Sequence, residues 1–146
     1  MKGVWIMEYT IGEAAKRFNL NISTLRYYDK QGLIPNLQKN QSGNRIFDEN
    51  AITCLITIEC LKESGMSLKE IKTFIDWCKD GDLSLEKRLE MFLQQRKAVE
   101  AQIKELEDTL AYIDFKVGYY TQAVNDGTEQ YVKESMINPR LFETVQ

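Results

Sequence analysis

Residues 25–35 read LRYYDKQGLIP, and they predict a short helix followed by an abrupt stop. Arg26, Tyr27 and Lys30 bring charge, an aromatic ring and a hydroxyl onto one short helix. Gly32 suits the left-handed position after a helix, and the proline three residues later prevents the helix from continuing. We therefore expect a short helix with a crowded polar face, which meets either a binding partner or solvent.

The segment before this helix predicts a second, similar helix. Thr10 and Glu13 have the spacing of a capping box, in which the two residues satisfy each other's backbone N–H groups. The helix that begins there is interrupted by the sequence NLN, and Asn21 is expected to cap the next helix, which runs to about Gln31. Two short helices around a three-residue break are typical of a helix-turn-helix.

The segment after the proline predicts a small hairpin and two more helices. Residues 33–47 alternate weakly between apolar and polar and contain a Ser-Gly-Asn turn, which favours a two-stranded wing. Asp48 can cap a third helix that ends near Ser64, and a second capping box begins a fourth helix after Ser67. The sequence KDGD at 79–82 predicts a short hinge.

The third helix appears apolar on two sides. One stripe faces the expected core, and Ile52, Ile56 and Cys60 form a second stripe with a spacing of four residues. A helix that is apolar on both sides needs a cover from outside its own small domain, so we expect a partner helix there.

A long heptad pattern follows from residue 85. Apolar residues repeat with alternating spacings of four and three over 36 residues, roughly 54 Å of helix, with Arg96 as the exception. The seam consists of Leu85, Leu89, Phe92, Val99, Ile103, Leu106, Leu110, Ile113 and Val117, continuing to Tyr120. The alternative is a seam that lies along the core of the same chain. However, the preceding segment is too short to cover five heptads, so we expect a homodimer.

The composition excludes several classes of protein. The chain has 146 residues, of which 43% are hydrophobic, and neither a bilayer-spanning run nor a signal peptide, so we expect a cytoplasmic protein with no membrane partner. It has no histidine and an odd number of cysteines, three, without a CxxC pair, which argues against disulfides, metal sites and general-base catalysis. We therefore expect neither an enzyme nor a cofactor.

Charge is distributed unevenly along the chain. Residues 1–72 carry 10 Lys and Arg against 8 Asp and Glu, a net of +2, whereas residues 73–146 carry 9 against 14, a net of −5. Nucleic-acid binding would therefore depend on a local patch in the first half. Residues 1–7 are expected to lie before the organised sequence.

Three motifs together resemble the DNA-binding domain of the MerR family of transcription regulators. They are LRYY followed by GLIP, the wing sequence SGNRIF, and the junction SGMSLKEI. The resemblance implies a mainly α fold: a winged helix-turn-helix domain (8–78), a hinge (79–83), a dimerising, antiparallel coiled-coil helix (84–122) and a short tail (123–146). The tail can form a short helix with a frayed end.

The second helix of a helix-turn-helix enters the major groove, where its N-terminal residues meet base edges and its flanks meet phosphates. The expected DNA contacts are Thr10, Ser23, Thr24, Arg26, Tyr27, Lys30, Arg45 and Lys69, of which the resemblance supplies Arg45. The alternatives are a solvated face for Arg26 and Lys30, and core packing for Tyr27. Phe47 stands where relatives often carry tyrosine, so a hydroxyl contact is lost and the ring is expected to pack beneath the wing.

The resemblance also implies partners and a mechanism. Similar regulators bind as dimers to inverted repeats in an overlong promoter spacer, and they bend and untwist the DNA so that RNA polymerase can engage both promoter elements. A coiled-coil interaction module without specific DNA binding is the alternative from another class.

Such a regulator would sense its signal through the third helix. The third helix resembles a subgroup that responds to aldehydes and other thiol-reactive electrophiles, with its cysteine at Cys60, whereas an inert packing thiol is the alternative. Cys54 is expected to pack in the core, and Cys78 could pair with its mate in a dimer. A noncovalent ligand between the third helix and the coiled coil also stays open, with Phe74, Trp77, Phe115 or Tyr119 as the lining residues.

Overall fold

The structure is a computed structural model that describes residues 7–144, so the expectation for residues 1–7 lies, apart from Met7, outside the described residues. The elements are β1 (Tyr9–Thr10), α1 (Ile11–Phe18), α2 (Ile22–Lys30), β2 (Gln38–Lys39), β3 (Arg45–Phe47), α3 (Glu49–Glu63), α4 (Leu68–Lys79), a 3-10 turn (Gly81–Ser84), α5 (Leu85–Asp126) and α6 (Gln130–Ser135). Contacts divide the chain into two units, one up to Gln95 and one from Arg96. The division falls within α5.

The two predicted capping boxes are confirmed. The Thr10 hydroxyl accepts the Glu13 N–H at 3.1 Å, and the Glu13 carboxylate accepts the Thr10 N–H at 3.0 Å. Ser67 and Glu70 repeat this arrangement at the start of α4. The predicted cap at Asn21 was wrong in its chemistry, because that residue precedes α2 but its side chain makes no capping hydrogen bond.

The wing is a hairpin of β2 and β3, and β1 extends it to a three-stranded antiparallel sheet in the order β1–β3–β2. The Asn40 side chain accepts the N–H groups of Ser42 and Asn44 and thereby closes the turn. Strand β1 was not predicted. It is two residues long and one of them, Thr10, is also the cap of α1, so its sequence carried only the helix signal.

The core of the first unit lies between the helices and the inner face of β3. Phe47 is fully buried there, which confirms the expectation that its ring packs beneath the wing. The buried residues are Ala14, Ala15, Leu25, Tyr28, Leu33, Ile34, Phe47, Ala51, Ile52, Leu55, Ile58, Leu61, Ile71, Phe74 and Ile75. Gly32 has a φ of 73°, so the left-handed stop after α2 is also confirmed.

The predicted second stripe of α3 was partly wrong. Ile52 is buried in the core of its own unit, whereas Ile56 and Cys60 are exposed. The error arises because the start of α3 packs against β3, so that Ile52 joins the same buried cluster as Phe47. The unpartnered stripe is therefore shorter than the sequence suggested, and it lies in the second half of the helix.

The junction between α4 and α5 is an ordered turn. The Ser84 hydroxyl is buried and donates to the carbonyl oxygen of Trp77, and the Arg88 guanidinium donates to the carbonyl oxygen of Gly81 at 2.7 Å. Farther on, the rings of Phe74 and Phe92 meet edge to face with centroids 5.4 Å apart. The predicted hinge segment is thus held by hydrogen bonds on both sides.

The second unit consists of the rest of α5 and the segment that folds back against it. Tyr119, Ala123 and Val132 form its small buried cluster. Farther along, the Asn138 amide donates to the Tyr112 hydroxyl at 3.0 Å, and the Arg140 guanidinium donates to the carbonyl oxygen of Asp108 at 2.7 Å. No helix within residues 7–144 has the length and apolar character needed to cross a bilayer.

Candidate nucleic-acid interface

Helix α2 presents a polar face and is held from behind by two buried side chains. Leu25 and Tyr28 are buried, whereas Arg26, Tyr27 and Lys30 are exposed. The alternative that Tyr27 packs in the core is therefore wrong. At the start of the helix Ser23 is exposed and Thr24 is half-buried. Because Leu25 and Tyr28 hold α2 in the core, its exposed face can enter a DNA groove while the domain stays folded.

The anchor includes a polar network between α2 and α3. The Tyr28 hydroxyl donates to the Glu59 carboxylate at 2.9 Å and accepts from the Lys62 ammonium at 2.7 Å. Burial raises the pKa of Tyr28, and the hydrogen bond to Tyr28 raises the pKa of Lys62. Both groups consequently keep their protons at neutral pH, and the three side chains fix the rotation of α2 against α3.

The wing is tied to α2 by one ion pair. The Arg45 Nε atom lies 2.7 Å from a carboxylate oxygen of Asp29, and both side chains are about three-quarters buried. Arg45 is the first residue of β3, two positions before the buried Phe47, and it pairs with Lys39 of β2, so its backbone position is set by the sheet. The predicted contact residue is thus held at the edge between the wing and α2.

Two concavities group other predicted residues. A cavity of 560 Å³ is lined by Thr10 and Arg45, together with Glu8, Asn40 and other residues of β1, α1 and the wing. A cavity of 360 Å³ is lined by Tyr27 and Lys69. The structure therefore groups Thr10 with Arg45 around one concavity and Tyr27 with Lys69 around the other, while Ser23, Thr24, Arg26 and Lys30 share α2. The Thr10 hydroxyl already accepts the Glu13 N–H.

Sequence reasoning missed two basic or polar neighbours of Tyr27. Gln31 and Lys72 line the same cavity as Tyr27 and Lys69. Lys72 lies three residues after Lys69 in α4, which places both on one helix face, so the spacing could have revealed it. Its ammonium pairs with the Asp76 carboxylate one turn farther along. The meeting of α2 and α4 was not visible in the sequence, because it depends on tertiary packing.

The three cysteines have different surroundings. The Cys54 thiol donates to the carbonyl oxygen of Leu33 at 3.1 Å, and burial raises its pKa to about 11. Cys78 is half-buried against the core, whereas Cys60 is exposed on α3. All three are free thiols in the single chain. Cys60 is therefore the thiol that an electrophile from solvent would meet first.

Three of the four aromatic residues considered for a noncovalent ligand have packing roles within their own units. Phe74 belongs to the core of the first unit, and Tyr119 and Phe115 belong to the small cluster of the second. Trp77 lines an open groove of 680 Å³ between α4 and the first turns of α5. Among residues 7–144, no group of three or more cysteine, aspartate and glutamate side chains is placed to hold a metal ion.

Comparison with known proteins identifies the family. Residues 9–76 match the family described as MerR HTH family regulatory protein, and residues 53–114 match the family described as MerR, DNA binding. An uncharacterised HTH-type transcriptional regulator of Haemophilus influenzae is 41% identical over 117 residues, which cover 80% of this chain and 87% of the relative.

Two solved structures agree with this assignment. HiNmlR, a MerR family regulator that lacks the sensor domain and was crystallised bound to promoter DNA, is 40% identical with a TM-score of 0.78, over 86% of this chain and 96% of that one. A MerR family regulator from Bacillus thuringiensis is 47% identical with a TM-score of 0.68, over 77% of this chain and 98% of that one. The winged helix-turn-helix, the small sheet and the long α5 are thus those of a known group, and this chain belongs to the MerR family of helix-turn-helix transcription regulators.

Proposed function

We propose that this regulator binds promoter DNA as a homodimer, with α2 of each protomer in the major groove of one half of an inverted repeat. The observation that carries the proposal is the exposed face of α2 with Arg26, Tyr27 and Lys30, anchored from behind by Leu25 and Tyr28. The likeness to a relative crystallised on promoter DNA supports it.

Each contact residue has a chemically suitable role. Arg26 carries the planar fork that pairs with a guanine edge or a phosphate, and Ser23 and Thr24 reach bases from the N-terminal turn. Tyr27 and Lys30 meet phosphates beside the groove. The wing residue Arg45 and, farther out, Thr10 and Lys69 contact the backbone on either side of α2. These contacts fix the register, while Arg26 reads sequence.

The seam of α5 supports the homodimer. Leu85, Leu89 and Leu110 are exposed in the single chain, as are most other seam residues. An exposed apolar seam on a helix of 42 residues is stabilised by a second copy, because burial of apolar surface contributes about 25 cal/mol per Å². We propose an antiparallel pair of α5 helices. Its length sets the separation of the two winged helix-turn-helix domains, which are the reading heads of the dimer.

The proposed regulatory step is a change in the geometry of the bound DNA. Bending and untwisting a promoter costs free energy, roughly 1–6 kcal/mol for a smooth bend over 20–30 base pairs. That cost depends on the separation and orientation of the two DNA-binding domains of the dimer. A signal that shifts the dimer between two geometries thereby changes how RNA polymerase engages the promoter.

Cys60 is the proposed sensor of a thiol-reactive electrophile. It is exposed on α3, close in sequence to Glu59 and Lys62, the residues that hold Tyr28 of the reading helix. An adduct on Cys60 would add bulk on the half of α3 that also exposes Ile56. The alternative is a noncovalent ligand; the open groove beside Trp77 is the concavity that favours it.

A DNA-binding titration tests the first part of the proposal. Fluorescence anisotropy with a duplex taken from the promoter of the protein's own gene should show affinity that falls steeply with salt, because phosphate contacts release counterions. Arg26→Ala should weaken binding by roughly 10–100-fold, the effect of losing a bidentate base contact. Salt-independent or absent binding would favour the interaction module instead.

In vitro transcription from the same promoter tests the sensor. A small aldehyde should change transcript levels with the wild-type protein and with Cys78→Ser, the matched control, but not with Cys60→Ser. If Cys60→Ser responds like the wild type, Cys60 is a packing residue and the signal is read elsewhere.

A further inference from the structure

Asp29 occupies a position that is unfavourable for a carboxylate in two respects. It lies in the last turn of α2, where the partial negative charge of the helix C-terminus opposes an acidic side chain. It also lies on the helix that we place in the DNA groove, where phosphates repel a negative charge. Neither helix formation nor DNA attraction accounts for an aspartate here.

The partner of Asp29 is Arg45, sixteen residues farther along the chain. The Arg45 Nε atom lies 2.7 Å from Asp29 Oδ2, and the exposed fractions of the two side chains are 26% and 27%. Within residues 7–144 the Arg45 side chain makes no other hydrogen bond or ion pair. Because a guanidinium has five N–H donors, the four on the terminal nitrogens stay available while Nε is held by the carboxylate.

Because the Asp29 carboxylate holds the Nε edge of the Arg45 guanidinium, it also restricts the orientation of the terminal nitrogens. Arg45 also lines the concavity of 560 Å³ that it shares with Thr10 and Asn40, and the donors on its terminal nitrogens are unpaired within residues 7–144. A side chain fixed before binding loses less conformational entropy when a phosphate arrives. The same ion pair joins β3 to α2, so that the wing and the reading helix meet DNA in a fixed relation.

We propose that Asp29 is a positioning residue for DNA binding, whose carboxylate holds Arg45 in the orientation that meets a phosphate. This inference rests on the proposed function. It predicts an effect opposite in sign to simple charge repulsion. If Asp29 acted only as a negative charge near DNA, removing it would tighten binding; if it positions Arg45, removing it weakens binding.

The test uses the full chain and a fluorescein-labelled duplex of mixed sequence, about 30 base pairs long, which reports phosphate contacts without knowledge of the operator. Asp29→Ala should weaken binding roughly fivefold, equivalent to about 1 kcal/mol. The slope of log affinity against log salt should become shallower by up to about 0.9 per protomer, the loss of one phosphate contact.

Two further variants isolate the mechanism. Arg45→Met should weaken binding at least as much as Asp29→Ala, and adding Asp29→Ala to it should cause no further loss, because the residue to be positioned is absent. Glu8→Gln is the matched charge control, since Glu8 lines the same concavity and forms no ion pair within the described chain. It should bind as tightly as the wild type or slightly more tightly.

Folding of the variants is checked by thermal unfolding. Alanine is the best helix former, so Asp29→Ala should keep α2; if it does not fold, the isosteric Asp29→Asn decides the question with a smaller loss in the same direction. Equal or tighter binding by the Asp29 variants, or an equal loss in the Arg45→Met background, would overturn the inference alone. Salt-independent binding by the wild type would overturn the proposed function and this inference with it.

Discussion

Tyr27 and Tyr28 are neighbours in α2 with opposite surroundings. The Tyr28 ring is buried and its hydroxyl bridges Glu59 and Lys62, whereas Tyr27 is half exposed and lines the cavity with Lys69. The same residue type thus serves packing at one position and a surface at the next. A helix makes this unavoidable, because successive side chains point about 100° apart.

Replacing each tyrosine by phenylalanine should separate the two roles. Tyr28→Phe should lower the free energy of unfolding by about 1 kcal/mol, because the Glu59 carboxylate and the Lys62 ammonium lose a hydrogen-bonding partner. Tyr27→Phe, the matched control, should stay within about 0.5 kcal/mol of the wild type. Urea denaturation followed by circular dichroism measures both. A larger loss from Tyr27→Phe would mean that its hydroxyl has a folding role.

The cysteines should differ in their reaction with N-ethylmaleimide. At pH 7.5 a thiol with a pKa of about 11 has only about one molecule in 3,000 ionised, so Cys54 should react slowly, and its rate should rise roughly tenfold for each pH unit up to about 11. The exposed Cys60 should be labelled first. Peptide mass spectrometry over a time course gives the order of labelling. Early modification of Cys54 would show that the region around Leu33 opens readily.

At the scale of elements, the helix starts are determined by short local signals. Ser67→Ala should cost about 1 kcal/mol, because the first turn of α4 loses the hydroxyl that accepts the Glu70 N–H. Ser42→Ala is the matched control, since Ser42 lies in the exposed turn of the wing, where its backbone N–H donates to the Asn40 side chain and is kept in the variant. Chemical denaturation at pH 7 compares the two variants. Equal stability of both would contradict a role for the cap.

The same capping box makes stability depend on pH. Hydrogen bonds from the Ser67 backbone and hydroxyl lower the pKa of Glu70 below its usual value of 4.5. A carboxyl group with a lowered pKa in the folded state contributes stability that is present above about pH 4.5 and is lost as the pH falls through the folded pKa. Glu70→Gln should therefore flatten the acid limb of a stability profile below about pH 4.5. Superimposable profiles would rule out this contribution.

These elements also show how much of the fold and site the sequence could predict. Caps, the Gly32 stop, the Ser-Gly-Asn turn and the heptads are local or periodic signals, and the helices they predicted were found within one or two residues, although α5 continues to Asp126. Strand β1, the burial of Ile52 and the pairing of Asp29 with Arg45 depend on residues distant in sequence. Nothing in the immediate neighbours of those residues encodes such contacts.

At the scale of the whole molecule, the apolar side chains of the α5 seam are exposed to solvent. Leu106 is 69% exposed in the single chain, and Ile103 and Leu110 beside it are at least half exposed. Such residues contribute little to the stability of one protomer. Their apolar repeat is the pattern expected of a seam between two helices, as the proposed homodimer requires.

Leu106→Glu should convert the proposed dimer to a monomer. A glutamate in the seam loses its hydration when it is buried against the apolar side chains of the partner helix, whereas in the single chain the same glutamate stays in water. Light scattering after size exclusion should give a mass near 17 kDa for the variant and twice that for the wild type. Ala101→Glu, exposed on α5 but outside the seam, is the control and should remain dimeric.

The same pair of variants connects assembly with DNA binding. Two linked reading heads bind an inverted repeat with an effective concentration that a single head lacks, so affinity should fall by roughly 10²–10⁴-fold when the dimer is lost. Leu106→Glu should show that fall on the promoter duplex, with its α2 surface unchanged, while Ala101→Glu should bind like the wild type. If the monomeric variant bound the promoter as tightly as the wild type, one head would suffice. The distance between heads could then not carry a regulatory signal.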